Sequence, residues 1–122
     1  MFVPGFVSTV AGMDRVVCVD PGTGLPLTEA QFDARTVAAV LRLRKRGVRE
    51  GDAVLICLPT GTDLLVAANA VIALGAVAMP LAYPPSPEAV RGAAARVMIS
   101  DRPELAEESR VRVVVGPQEL AG

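Results

Sequence analysis

Nineteen consecutive residues, Leu64 to Ala82, carry no formal charge. A run of that length either crosses a membrane or lies inside folded protein. Its composition decides for the interior. Nearly half of the run is Ala or Gly, which gives weak transfer energy, and Asn69 sits within it. Gly75 falls where a helix stops, and Pro80 interrupts the end. The run therefore predicts a buried helix up to Leu74 followed by a strand over Ala76 to Leu81, with no membrane span. The first residues, MFVPGFVSTVAGMDR, have apolar character but no basic segment ahead of it. A signal peptide is not expected, and the cytoplasm is the default location.

A buried helix must be surrounded, and the rest of the chain sets how far that is feasible. With 122 residues there is material for one domain. The hydrophobic set is 52% of the chain and charged residues are 20%, which excludes a disordered polymer. Trp is absent, Tyr occurs once and Phe three times, so the core is aliphatic. Small side chains bury little area each. A chain this short leaves part of an all-round apolar helix open, and open apolar patches mark interfaces. Twelve Lys and Arg against thirteen Asp and Glu give a net charge of -1, so no global basic field for nucleic acid exists.

Chemistry is constrained as tightly. There is no histidine, which removes a Ser-His-Asp triad, an imidazole base and a His-containing metal site. Cys18 and Cys57 each lie inside an apolar run and outside any CxxC pattern, so they read as free thiols. Spacing alone leaves their pairing open.

Along the chain, short apolar strands alternate with helices. VVCV (residues 16–19) reads as a strand, DPGTG as a turn, and residues 25–27 as a second extended piece. Thr28 and Gln31 have capping-box spacing, with Leu27 as the staple residue. The helix they open ends in Arg42, Arg44, Lys45 and Arg46, with Gly47 placed for the left-handed closing position. Positive charge there suits the carbonyl end of the helix dipole and requires no nucleic acid. AVLICL (53–58) is a continuous apolar run, the mark of a parallel strand covered on both faces. A proline-rich connection, a short helix over 88–95 capped by Ser86, a strand over 97–100, a polar turn over 103–109 and a strand over 112–115 complete the pattern. The fold class is α/β: a small, mostly parallel sheet with helices on both faces. Residues 1–14 form an N-terminal segment, 15–116 the domain, and 117–122 a C-terminal tail.

Several pieces then align in order. Leu27-Thr28 opens a strand-turn-helix. Gly47, Val48, Gly51, Asp52 and Val54 form a GV..GD.V turn into a strand, and Leu58-Pro59 follows. LGAVAMPL (74–81) comes after the buried helix, then YPPSPEAV and VMIS. This arrangement, over about residues 14 to 115, resembles the N-terminal part of acyl-adenylate-forming enzymes: acyl-CoA synthetases, fatty-acyl-AMP ligases and nonribosomal adenylation domains. The resemblance implies the first part of a large adenylating domain, truncated here. It implies scaffold rather than catalysis, because the phosphate loop ending in Pro-Lys, the aromatic-Gly-x-Thr-Glu segment, the ribose-binding aspartate and the catalytic lysine lie downstream of the part resembled. Lys45, the only lysine, sits in a helix end. No catalytic residue carries over.

Thr60, Gly61 and Thr62 are the candidate ligand-binding residues. They follow a strand and open a helix, where anions bind in open α/β sheets. Asp63 in the first turn opposes a phosphate and suits the helix dipole. DPGTG lacks the GxxxxGK[ST] frame and reads as a turn. Tyr83, alone among apolar and proline neighbours, reads as a packed loop aromatic or a contact residue. No metal site is expected from the acidic residues Asp101, Glu104, Glu107 and Glu108. Three functions stay open. The first is a non-catalytic stand-alone fragment of the adenylate-forming fold that self-associates or binds a larger protein, a biosynthetic one included. The second is the complementing subunit of a split acyl-adenylating ligase, the only case that brings in ATP and magnesium. The third is a small nucleotide- or acyl-binding module.

Overall fold

The computed structural model describes residues 15–121. Readings that fall on residues 1–14 lie outside them. Two strands, β1 (Val16–Val19) and β2 (Pro26–Thr28), pair antiparallel as a hairpin. Helix α1 (Glu29–Lys45) follows at once. Its start is the expected capping box: the Gln31 amide donates to Thr28 Oγ1 at 3.2 Å, and the Thr28 amide donates to Gln31 Oε1 at 2.9 Å. Its end is closed by Gly47, at φ 88°, after which the Val48 amide donates back to the Leu43 carbonyl.

Four parallel strands then form the main sheet: β3 (Ala53–Cys57), β4 (Val77–Pro80), β5 (Val97–Ser100) and β6 (Val113–Val115), in the order β4-β3-β5-β6. The apolar run 53–57 therefore lies inside the sheet, as its unbroken hydrophobicity predicts. Helix α2 (Thr62–Leu74) links β3 to β4. It covers one face of the sheet together with α1, around Val54, Ile56, Val97 and Ile99. The opposite face carries Leu55, Cys57 and Met98, covered by helix α3 (Pro87–Gly92) and the 3-10 turn Pro103–Ala106. Helices thus sit on both faces of a parallel sheet. The structure adds the antiparallel hairpin as a separate two-stranded unit.

Two local outcomes differ from the sequence reading. Helix α3 stops at Gly92, shorter than the 88–95 expectation, because Ala93 turns extended and the chain must reach β5 at Val97. The residues after Gly116, read as a tail, form a short helix α4 (Pro117–Ala121) that buries Leu120 in the α1/α2 core. Arg46 fixes it by donating to both carboxylate oxygens of Glu119, each at 2.6 Å. Helix α2 is covered on one side and open on the other, as the shortness of the chain predicts. Ile72 is 65% exposed and Leu65 37% exposed. Among the described residues no helix is long and apolar enough to cross a membrane.

Candidate ligand site at the strand ends

In an open parallel sheet the binding crevice opens where neighbouring strands send their connections to opposite faces. Here those neighbours are β3 and β5. The chain leaves β3 through α2 on one face and leaves β5 through the 3-10 turn on the other. Thr60, Gly61 and Thr62 follow β3 at this end of the sheet, while Asp101 and Arg102 follow β5.

The N-terminus of α2 already has an anion. It is Asp20, from the turn of the β1–β2 hairpin, and its Oδ1 accepts the Thr62 amide at 3.1 Å. A carboxylate facing orphan helix amides is the arrangement expected there. Its other oxygen accepts from the amide and the hydroxyl of Thr23, both at 3.1 Å. The Thr62 amide bond, with the Thr23 bonds behind it, holds the Asp20 carboxyl below the usual carboxylate range. Cys18 packs beside it, with Sγ 3.6 Å from Thr62 Oγ1. Gly61 is required by the close approach, since a Cβ there would lie 2.6 Å from Asp20 Oδ1. Of the three candidate residues, then, Thr62 and Gly61 hold the hairpin on the body of the domain, and Thr60 is exposed beside them. Asp63 pairs with Arg35 of α1 at 3.0 Å, 53% exposed. A cleft of about 260 Å³ beside Gly61 is lined by Cys18, Val19, Pro21, Thr60, Gly61, Leu64 and Leu65.

The Asp20 clasp joins residues 42 positions apart. DPGTG forms the turn its composition predicts, and nothing local in the sequence signals its partner. Gly61→Ala is expected to force the carboxylate away from Thr62 and loosen the hairpin. Faster labelling of the Cys18 thiol in the native state would report it, and an unchanged rate would remove the clasp from the account.

Across the crevice, Tyr83 bridges the strand ends. Its hydroxyl donates to Asp101 Oδ2 at 2.9 Å and accepts from Arg102 Nε at 3.3 Å, while the Arg102 guanidinium stands 5.8 Å from the ring centre. The reading as a packed loop aromatic fits this geometry. Behind it, Cys57 is buried at the end of β3, and burial, assisted by Asp101, pushes its thiol up to about 11. Both cysteines are free. Cys57 is expected to resist alkylation at neutral pH until the domain opens. Modification faster than unfolding, followed by mass spectrometry, would contradict its placement. Among the described residues no cluster of three His, Cys, Asp or Glu is placed to hold a metal ion.

At the opposite end of the sheet, Asp52 Oδ2 accepts from the Arg49 amide at 2.8 Å and from Arg96 Nη2 at 2.6 Å. The Arg49 amide first, then Arg96, holds this carboxyl below its ordinary value as well. The unfolded-state value is about 3.9. Folded values below it mean that the stability from Asp20 and Asp52 is complete above that pH and is lost as pH falls through the folded values. Urea midpoints are therefore expected to drop below about pH 4, and to drop less in Asp52→Asn. A variant with the same acid sensitivity as the parent would refute the assignment.

Comparison with known proteins agrees with this architecture. A family model described as AMP-binding enzyme matches residues 8–116. Among curated proteins no significant sequence match was found. The N-terminal subdomain of NpsA from Klebsiella oxytoca, in complex with anthranilyl-AMSN, superposes with a TM-score of 0.79 at 22% identity, covering 98% of this chain and 32% of that one. The inhibitor-bound N-terminal domain of FACL13 from Mycobacterium tuberculosis gives 0.75 at 22% identity, covering 94% and 33%. A Mycobacterium tuberculosis fatty acyl CoA synthetase gives 0.70 at 21% identity, covering 84% and 23%. The chain thus spans a third or less of these solved structures. With the family model covering most of its length and the same parallel sheet at its centre, the chain belongs to the AMP-binding enzyme family.

Proposed function

We propose that the chain acts by association, as a non-catalytic part of the adenylate-forming fold that binds a copy of itself or a larger, biosynthetic protein. One observation carries the reading. The hairpin exposes Val16 (50%), Val17 (40%), Val19 (56%) and Leu25 (65%), and both of its strands pair with nothing else among the described residues. Covering an apolar side chain of this size contributes up to about 1.5–3 kcal/mol. A partner that covers the hairpin would therefore stabilise the domain by mass action.

Light-scattering mass across a concentration series tests this. Association predicts a mass above 12.6 kDa, lowered by Val17→Lys. A chain that stays at its monomer mass, and that also fails to bind an adenylating domain lacking this region, would overturn the proposal.

A second reading, the complementing subunit of a split acyl-adenylating ligase, is favoured by the coverage. The chain covers about a third of the solved N-terminal domains. ATP and magnesium would then belong to the partner's residues. Mixing the chain with such a partner should raise acyl-dependent pyrophosphate release above that of the partner alone, and no gain in rate would remove this reading. The third reading, a small nucleotide- or acyl-binding module, has less support, because Asp20 occupies the amide that such a ligand would use.

A further inference from the structure

Five of the chain's twelve basic residues fall within Arg42 to Arg49, and that stretch contains no acidic residue. The sequence assigns Arg42, Arg44, Lys45 and Arg46 to the helix dipole, and the structure uses only some of the five locally. Arg46 is engaged by Glu119. Arg44, Lys45 and Arg49 make no side-chain hydrogen bond or ion pair with the described residues. Arg44 and Arg49 line a cleft of about 460 Å³ with Val48, Glu50 and Leu74, where the ends of α1 and α2 meet. Glu50 is the carboxylate of the lining, packed against Gly75, and Asp52 lies within electrostatic reach of Arg49.

An apolar stripe runs into this cleft. Val37, Leu41 and Arg44 stand at i, i+4 and i+7 of α1, one above another on a single face. Val37 is 61% and Leu41 59% exposed. Two apolar contacts followed by a basic cleft match an amphipathic helix with apolar anchors and carboxylates at one end. Direction follows from the dipoles. Antiparallel to α1, the incoming helix would present its first turn to the cleft, and a first turn is where carboxylates are stable.

We propose that this face of α1 docks an amphipathic helix of a protein partner whose first turn is acidic and whose next turns carry apolar residues. The inference rests on the association reading and names a second surface, away from the hairpin. Charge complementarity would then set the rate and the choice of partner, while the stripe supplies affinity.

The test uses the full chain and a synthetic helical peptide with Glu in its first turn and Leu at i, i+4 and i+7, followed by fluorescence anisotropy. The same peptide with Gln for Glu, a single-stranded RNA and anionic phospholipid vesicles serve as controls. Saturable binding of the Glu peptide is expected, weakened by added salt, and weakened about tenfold or more by Arg44→Glu with Arg49→Glu. Leu41→Ser should weaken it without changing the salt dependence. All three positions are exposed, and unchanged circular dichroism of the variants would show that they fold. Equal affinity for the Gln peptide, indifference to charge reversal, no binding of the Glu peptide, or tighter binding of RNA or vesicles would each overturn the proposal. A chain that associates through its hairpin while refusing the peptide would sink this inference alone. A monomeric chain that takes the peptide but fails to bind the adenylating domain would sink only the hairpin reading.

Discussion

Ile56→Ala is expected to lower the unfolding free energy by about 2–5 kcal/mol. Ile56 is fully buried in β3, between Pro80 of β4 and Ile99 of β5, and faces the core beneath α1 and α2. Truncation there removes transfer energy and leaves a cavity that neighbours on two strands and two helices cannot all close. Whole domains of this kind are stable by only about 5–15 kcal/mol, so the loss is a large share of the total. Urea denaturation gives the measurement. A loss under about 1 kcal/mol would mean that β3 is not the centre of the packing.

Gly75→Val is expected to cost at least about 1–2 kcal/mol, for a different reason. Gly75 closes α2 in the left-handed region, at φ 88°, where its amide donates to the Ile72 carbonyl and its carbonyl accepts from the Gly51 amide. A β-branched residue is strained there. A Cβ would also stand 2.9 Å from Glu50 Cγ, so the side chain that leans on α2 must move. The denaturation midpoint should fall with an unchanged slope. An undisturbed midpoint would show that the turn between α2 and β4 adapts freely.

Much of this fold was legible because its signals are local. The capping box at Thr28 and Gln31, the Gly47 and Gly75 closures and the unbroken run at β3 each need only a few neighbouring residues to be read. The uncharged run from Leu64 resolved as α2, its Gly75 closure and β4, as the punctuation by Gly75 and Pro80 predicts. What stayed hidden depends on residues far apart in the chain. Asp20 meets Thr62, Arg46 meets Glu119 and Tyr83 meets Asp101, and each partner alone looks like an ordinary turn, helix end or loop residue. Thr60, Gly61 and Thr62 do stand between the end of β3 and the start of α2, as their local pattern predicts. The occupant of that end could not be foreseen, since nothing near Thr60 announces a carboxylate from the hairpin.

The strand order has a consequence for how the molecule is born. Strand β3 pairs with β4 on one side and β5 on the other, and both are made after it. During synthesis its apolar side chains and unpaired backbone groups therefore wait until β5, which ends at Ser100, is available to pair. Chaperones have that interval in which to act, and a pause in translation just before β5 would lengthen it.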